Sequence, residues 1–121
     1  MCQGFDTQLE EGPQILHVGN NHWVTVLATR SAFLCADSMR IRGVHPHVKA
    51  LCGQLWAGKT VTNIGRVQQQ QGGTDCGLFA IAFAEAMLRG VDVKKLKLDQ
   101  SRMREHLAQC FSENRIKPFP A

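Results

Sequence analysis

The chain has 121 residues, a formal net charge of +4 and 44% hydrophobic residues, proportions that suit one small folding unit with a real core. No apolar run reaches the roughly 18–20 residues a bilayer-spanning helix needs, and the opening Met1-Cys2-Gln3-Gly4-Phe5-Asp6 has neither the basic nor the apolar region of a signal peptide. The five cysteines (Cys2, Cys35, Cys52, Cys76 and Cys110) are odd in number, scattered and without a Cys-x-x-Cys pair, so they fit reduced intracellular thiols, nuclear or cytoplasmic, better than a disulfide framework or a zinc site. The basic residues are dispersed and not interleaved with aromatics, a pattern of solvated surface rather than of nucleic-acid binding.

In chain order, residues 1–13 read as an arm ending in the breaker Gly12-Pro13. Gln14 to Val18 and His22 to Leu27 are expected strands around a Gly19-Asn20-Asn21 turn, a plausible hairpin, and Ala32 to Ala36 is a third apolar run stopped by Asp37-Ser38. Pro46 suits the first turn of a helix through Val48, Leu51, Cys52 and Leu55. Val61 to Val67 is expected to be a strand. From Cys76 the apolar positions Phe79, Ala80, Phe83, Ala84, Met87 and Leu88 step by three and four, which predicts a helix face. Thr74 or Asp75 is the expected cap and Gly90 the expected stop. A last helix is expected over about Gln100 to Ser112, with Met103, Leu107, Cys110 and Phe111 on one face. Strands that mostly precede helices predict an α+β fold, a small mixed or antiparallel sheet flanked by helices.

Four residue types in this order could perform thiol hydrolysis, which needs a thiolate, an imidazole, a group to orient the imidazole and donors for an oxyanion. Cys76 follows a glycine-rich turn at a helix start, where the helix dipole favours an anion. His22 opens a strand, and Asp37 ends the next one, so antiparallel pairing can bring them side by side. Gln70 lies six residues before Cys76 and can offer its amide together with the Cys76 backbone N–H. Each alone has an ordinary explanation. A cysteine on an apolar helix face is usually core, an Asp-Ser pair after a strand is usually a turn, a histidine beside a turn is usually structural, and a glutamine within Gln68 to Gln71 is usually surface. Their combination is what points to chemistry.

The wording His22-Trp23, then Asp37-Ser38 after a strand, then Gln70-x-Gly72-Gly73-Thr74-Asp75-Cys76-Gly77-Leu78-Phe79 resembles the ubiquitin-like-protein protease family of the Ulp or sentrin-specific type, cysteine peptidases related in fold to adenovirus protease. The resemblance covers roughly residues 14 to 120. It implies His22 as general base, Asp37 as its orienting acid, Gln70 as oxyanion donor and Cys76 as nucleophile. It further implies that Trp23 packs over the narrow Gly-Gly tail of a ubiquitin-like modifier, with Gly72 and Gly73 allowing close approach, and that no metal or organic cofactor is needed. The implied activity is cleavage after that tail, as in SUMO-type deconjugation, with the modifier or its conjugate as partner. Family domains are longer, so the resemblance also implies that residues 14–121 are the C-terminal part of a catalytic domain and residues 1–13 an arm or remnant of a missing subdomain. A catalytically weak remnant that binds the modifier is the alternative.

Overall fold

The computed structural model describes residues 12–19, 21–39, 43–55 and 58–121. Strands β1 (Gly12–Val18), β2 (His22–Ala28) and β3 (Ala32–Ala36) come first, followed by helix α1 (Pro46–Leu55) and strand β4 (Thr60–Asn63). Helix α2 (Cys76–Leu88), a 3₁₀ turn (Val93–Lys95) and helix α3 (Gln100–Glu113) complete the order. The sheet runs β1-β2-β3-β4, antiparallel through β3 and parallel between β3 and β4. It is therefore mixed, within the α+β class expected. The arm expected over residues 1–13 falls outside the described residues up to Glu11, and Gly12 and Pro13 already belong to β1.

The β1–β2 hairpin turns through two left-handed residues, Gly19 (φ 55°) and Asn21 (φ 57°). Asparagine is one of the few residues that tolerate this region, because its short polar side chain can bond locally. The Asn21 N–H donates to the Gly19 carbonyl at 2.8 Å. The Gly19 N–H in turn donates to Nδ1 of His47, in the first turn of α1, at 2.7 Å. The start of α1 thus anchors the turn that precedes β2.

Alternation along β2 divides the core in two. Val24, Val26 and Ala28 share one face with Val18, Phe33 and Cys35, and α1 covers it with Val48 and Cys52. Burial here pushes the Cys35 thiol up to about 12, and raises Cys52 as well, which makes both inert packing groups. On the opposite face the fully buried Thr25 hydroxyl donates to the Ala80 carbonyl of α2 at 2.5 Å. That bond fastens α2 across β2.

Two elements differ from expectation. The strand expected over Val61 to Val67 stops at Asn63, because Arg66 takes a left-handed φ of 66° and turns the chain. Val67 then points into the core around α2 instead of continuing the ladder. Helix α2 is buried around most of its circumference rather than along one stripe. The sheet lies on one side, while Val93, Leu98, Met103 and Phe119 pack on the other. Leu88, expected on the buried face, is 73% exposed at the helix end, and Gly90 (φ 77°) stops the helix as expected. Among the described residues no helix is long and apolar enough to cross a membrane.

Candidate active site

The strand register brings His22 and Asp37 together. Thr25 pairs with Ala36, so Asp37, one residue past β3, falls beside Val24 and one same-face step from His22. His22 Nε2 and Asp37 Oδ1 lie 2.8 Å apart, with side chains 11% and 6% exposed. The same oxygen accepts the Met39 N–H at 3.0 Å, closing a tight turn. An ionised carboxylate only accepts, so Nε2 carries the proton of the neutral ring and Nδ1 carries the lone pair. Nδ1 is buried and has no hydrogen-bond partner among the described residues. A buried orphan of this kind calls for an explanation, and a catalytic role is one of the few good ones.

Cys76 is the first residue of α2. Its thiol donates to the Asn21 carbonyl at 3.5 Å, which places the sulfur beside the residue preceding His22 without bonding it to the imidazole. Cys76 is 4% exposed and lines a cleft of about 630 Å³ together with Asn21, Trp23, Gly73, Thr74 and Gly77. Trp23 is 40% exposed and packs at a tilt against His17 with ring centroids 4.6 Å apart. A Cβ on Gly77 would sit 3.6 Å from the indole, so the first turn of α2 runs directly under the ring.

Gln70 is fixed to the loop that carries the acid. Its N–H donates to the Ser38 carbonyl at 2.8 Å, and its Oε1 accepts from the Ser38 hydroxyl at 2.5 Å. Its Nε2 donates to the Gly72 carbonyl at 3.0 Å, which leaves one amide hydrogen for another acceptor. Gln69 adds a bond from Nε2 to the Asp37 carbonyl at 3.1 Å. Gly73 lines the cleft, whereas Gly72 does not. Gly72 instead takes φ 77°, a conformation that suits glycine.

The family model described as the Ulp1 protease family, C-terminal catalytic domain, matches residues 14–117. The chain belongs to the Ulp1 protease family. Comparison with curated proteins finds no significant match. Membership gives this Ulp1-family domain a ubiquitin-like protease function in general terms, with modifiers or their conjugates as the partner class, and the mixed sheet and three helices of its described residues agree with that fold.

Several residues of the Ulp1-family domain reach the site without having been singled out in the sequence. Asn21 and Ser38 read there only as turn residues, yet one holds the thiol and the other the Gln70 amide. Gln100 and Arg104 carry no local signal, because they arrive from α3, more than twenty residues on in the chain. Both bind Asp75: Gln100 Nε2 donates to Oδ2 at 2.9 Å and Arg104 to Oδ1 at 2.5 Å. Asp75 occupies the N-cap position of α2 as expected, but its side chain makes no capping bond.

The Gln100 hydrogen bond first, and then Arg104, hold the Asp75 carboxyl below its ordinary value. A depressed folded-state value adds stability above the unfolded value, and that stability is lost as pH falls through the folded one. The stability difference between the natural chain and Asp75→Ala should therefore be constant near neutrality and shrink below about pH 4. Urea unfolding of both chains at neutral and acidic pH checks this, and a gap that stays constant or widens in acid contradicts it.

Proposed function

We propose that the chain is a thiol peptidase and isopeptidase that cleaves after the C-terminal Gly-Gly of a ubiquitin-like modifier, inside the cell. The observation that carries this reading is the His22–Asp37 hydrogen bond with its unpartnered Nδ1, on the residue next to the one that holds the Cys76 thiol. Rotation of the Cys76 side chain from the Asn21 carbonyl toward Nδ1 lets the thiol proton pass to His22. Catalytic hydrogen bonds are often formed only once substrate is bound.

The Cys76 sulfur then attacks the carbonyl carbon of the last glycine. The S–C bond forms, and the oxyanion is met by the Cys76 backbone N–H and the Gln70 amide. His22 protonates the departing lysine amine as the C–N bond breaks. In the second half His22 takes a proton from water, the hydroxyl adds to the thioester carbon, and Cys76 leaves as thiolate. Asp37 keeps the proton on Nε2 throughout and stabilises the imidazolium. The buried sulfur beside Trp23 suits a tail without side chains, because only a thin chain reaches it. Gly73 extends the same wall of the cleft.

A modifier-binding protein with weak catalysis is the second reading. It is favoured by the thiol's bond to Asn21 rather than His22, and by the turn of Gln70 Nε2 toward Gly72. A panel of ubiquitin-like modifiers ending in a vinyl sulfone separates the two. Covalent labelling of Cys76, located by peptide mass spectrometry and absent at the core thiols Cys35 and Cys52, is the expected result. Reversible binding of a modifier by folded protein with no adduct would establish the second reading.

A further inference from the structure

Among the described residues three helical segments begin after an aspartate, and they are treated in two ways. Asp92 sits in extended backbone (ψ 111°) and accepts the N–H of Lys94, two residues on. Asp99 sits likewise (ψ 94°) and accepts the N–H of Ser101. Both are ordinary N-caps, with the extended backbone such caps require. Asp75 has the same position before Cys76, yet its φ of −106° and ψ of 15° lie outside that region and its carboxylate caps nothing. By the pattern of the other two, its default acceptor role would fall on the Gly77 N–H.

The difference comes from α3. Arg104 and Gln100 take one carboxylate oxygen each. Gln100 is itself fixed, since its Oε1 accepts the Gln71 N–H and its Nε2 donates to the Gln71 carbonyl, both at 2.8 Å. With both oxygens so engaged, the carboxylate makes no capping bond to the first turn of α2. A carboxylate bonded to the Gly77 N–H would set a negative charge on the helix end beside the Cys76 N–H, where the thiolate and the transition state develop theirs.

We propose that Gln100 and Arg104 are positioning residues that hold the Asp75 carboxylate away from the first turn of α2 and so keep its negative charge off the helix end where the thiolate and the oxyanion form. This rests on the thiol-peptidase reading above for its consequence, though not for the geometry it invokes. When the tether is cut, Asp75 swings into the capping position of Asp92 and Asp99, and its charge opposes the negative charge that develops at Cys76.

The test is a set of variants of the full chain, Gln100→Ala/Arg104→Ala, Asp75→Ala, and the three changes combined. It is read by turnover of a modifier C-terminal fluorogenic amide and by the Gly77 amide in proton–nitrogen spectra. The double variant should lose roughly tenfold in kcat with KM little changed, because a like charge on the helix end weighs on the developing oxyanion and not on substrate binding. Adding Asp75→Ala should restore most of it, because no carboxylate remains at the helix end. A merely structural role for the tether predicts no restoration, and that outcome overturns the proposal. The Gly77 amide should shift downfield in the double variant, titrating with a carboxyl group, and return in the triple variant. An unmoved amide overturns the proposal whether or not the chain turns over. Absent turnover in the natural chain sinks the peptidase reading alone and leaves the amide to decide this one. Arg104 is largely exposed, 70% at its side chain, so Arg104→Ala alone gives the same signs in smaller measure should the double variant not fold.

Discussion

Cys76→Ser is expected to reduce turnover by more than about a thousandfold while leaving the fold intact, since a serine hydroxyl is a far poorer nucleophile than a thiolate in a site built for sulfur. The replacement is close to isosteric, and its hydroxyl can still donate to the Asn21 carbonyl that now takes the thiol. Binding of the intact modifier should therefore survive, so the loss should appear in kcat and not in affinity. The other described thiols cannot substitute. Cys35 and Cys52 are core groups whose thiolate forms are suppressed by burial, and Cys110 packs at 2% exposure in α3, 3.4 Å from His106. Steady-state kinetics on Cys76→Ser, with modifier binding measured by calorimetry, checks both halves. Substantial residual turnover would take the nucleophile role away from Cys76.

Asp37→Asn is expected to lower kcat by about a hundredfold or more. The amide can face His22 in two ways. With its oxygen toward Nε2 the tautomer is kept, but the charge that stabilises the imidazolium is gone. With its NH₂ toward Nε2 the ring proton is forced onto Nδ1, and the base is lost altogether. The Met39 N–H bonds this same oxygen, which favours the orientation that keeps an amide oxygen there; the local turn is then kept and the variant should fold. Turnover within about threefold of the natural chain, against the hundredfold expected for an orienting acid, would remove Asp37 from the mechanism. Because the effect runs through proton transfer, the pH profile of the residual activity should change shape, which a purely structural defect would not produce.

Much of the fold was legible because it is coded by local pattern. The hairpin around Gly19 and Asn21, the run Ala32–Ala36, the Pro46 helix start and the helix from Cys76 are all written in turn residues and periodicity, and they lie where that chemistry places them. The extent of β4 was not legible. Val61 to Val67 has strand composition throughout, but a left-handed Arg66 is a choice of the tertiary packing that sends Val67 inward. The one-sided helix face was likewise an underestimate, since periodicity cannot say that a second layer will close over α2.

The residue order His22, Asp37, Gln70, Cys76 was in the sequence by itself, as was the family to which the chain belongs. The order is a property of one chain, and the family follows from the resemblance of its motifs. The tertiary structure alone decided what each side chain touches. The thiol rests on Asn21, Nδ1 of His22 is left without a partner among the described residues, Ser38 holds Gln70, and Asp75 is drawn from its helix by Gln100 and Arg104. Hydrogen bonds of this kind join groups that meet only once β2, β3 and α3 have packed around α2, and no local preference of the residues involved specifies them. Asp75 shows the separation most directly, because its local preference is to cap and two side chains from a later helix override it.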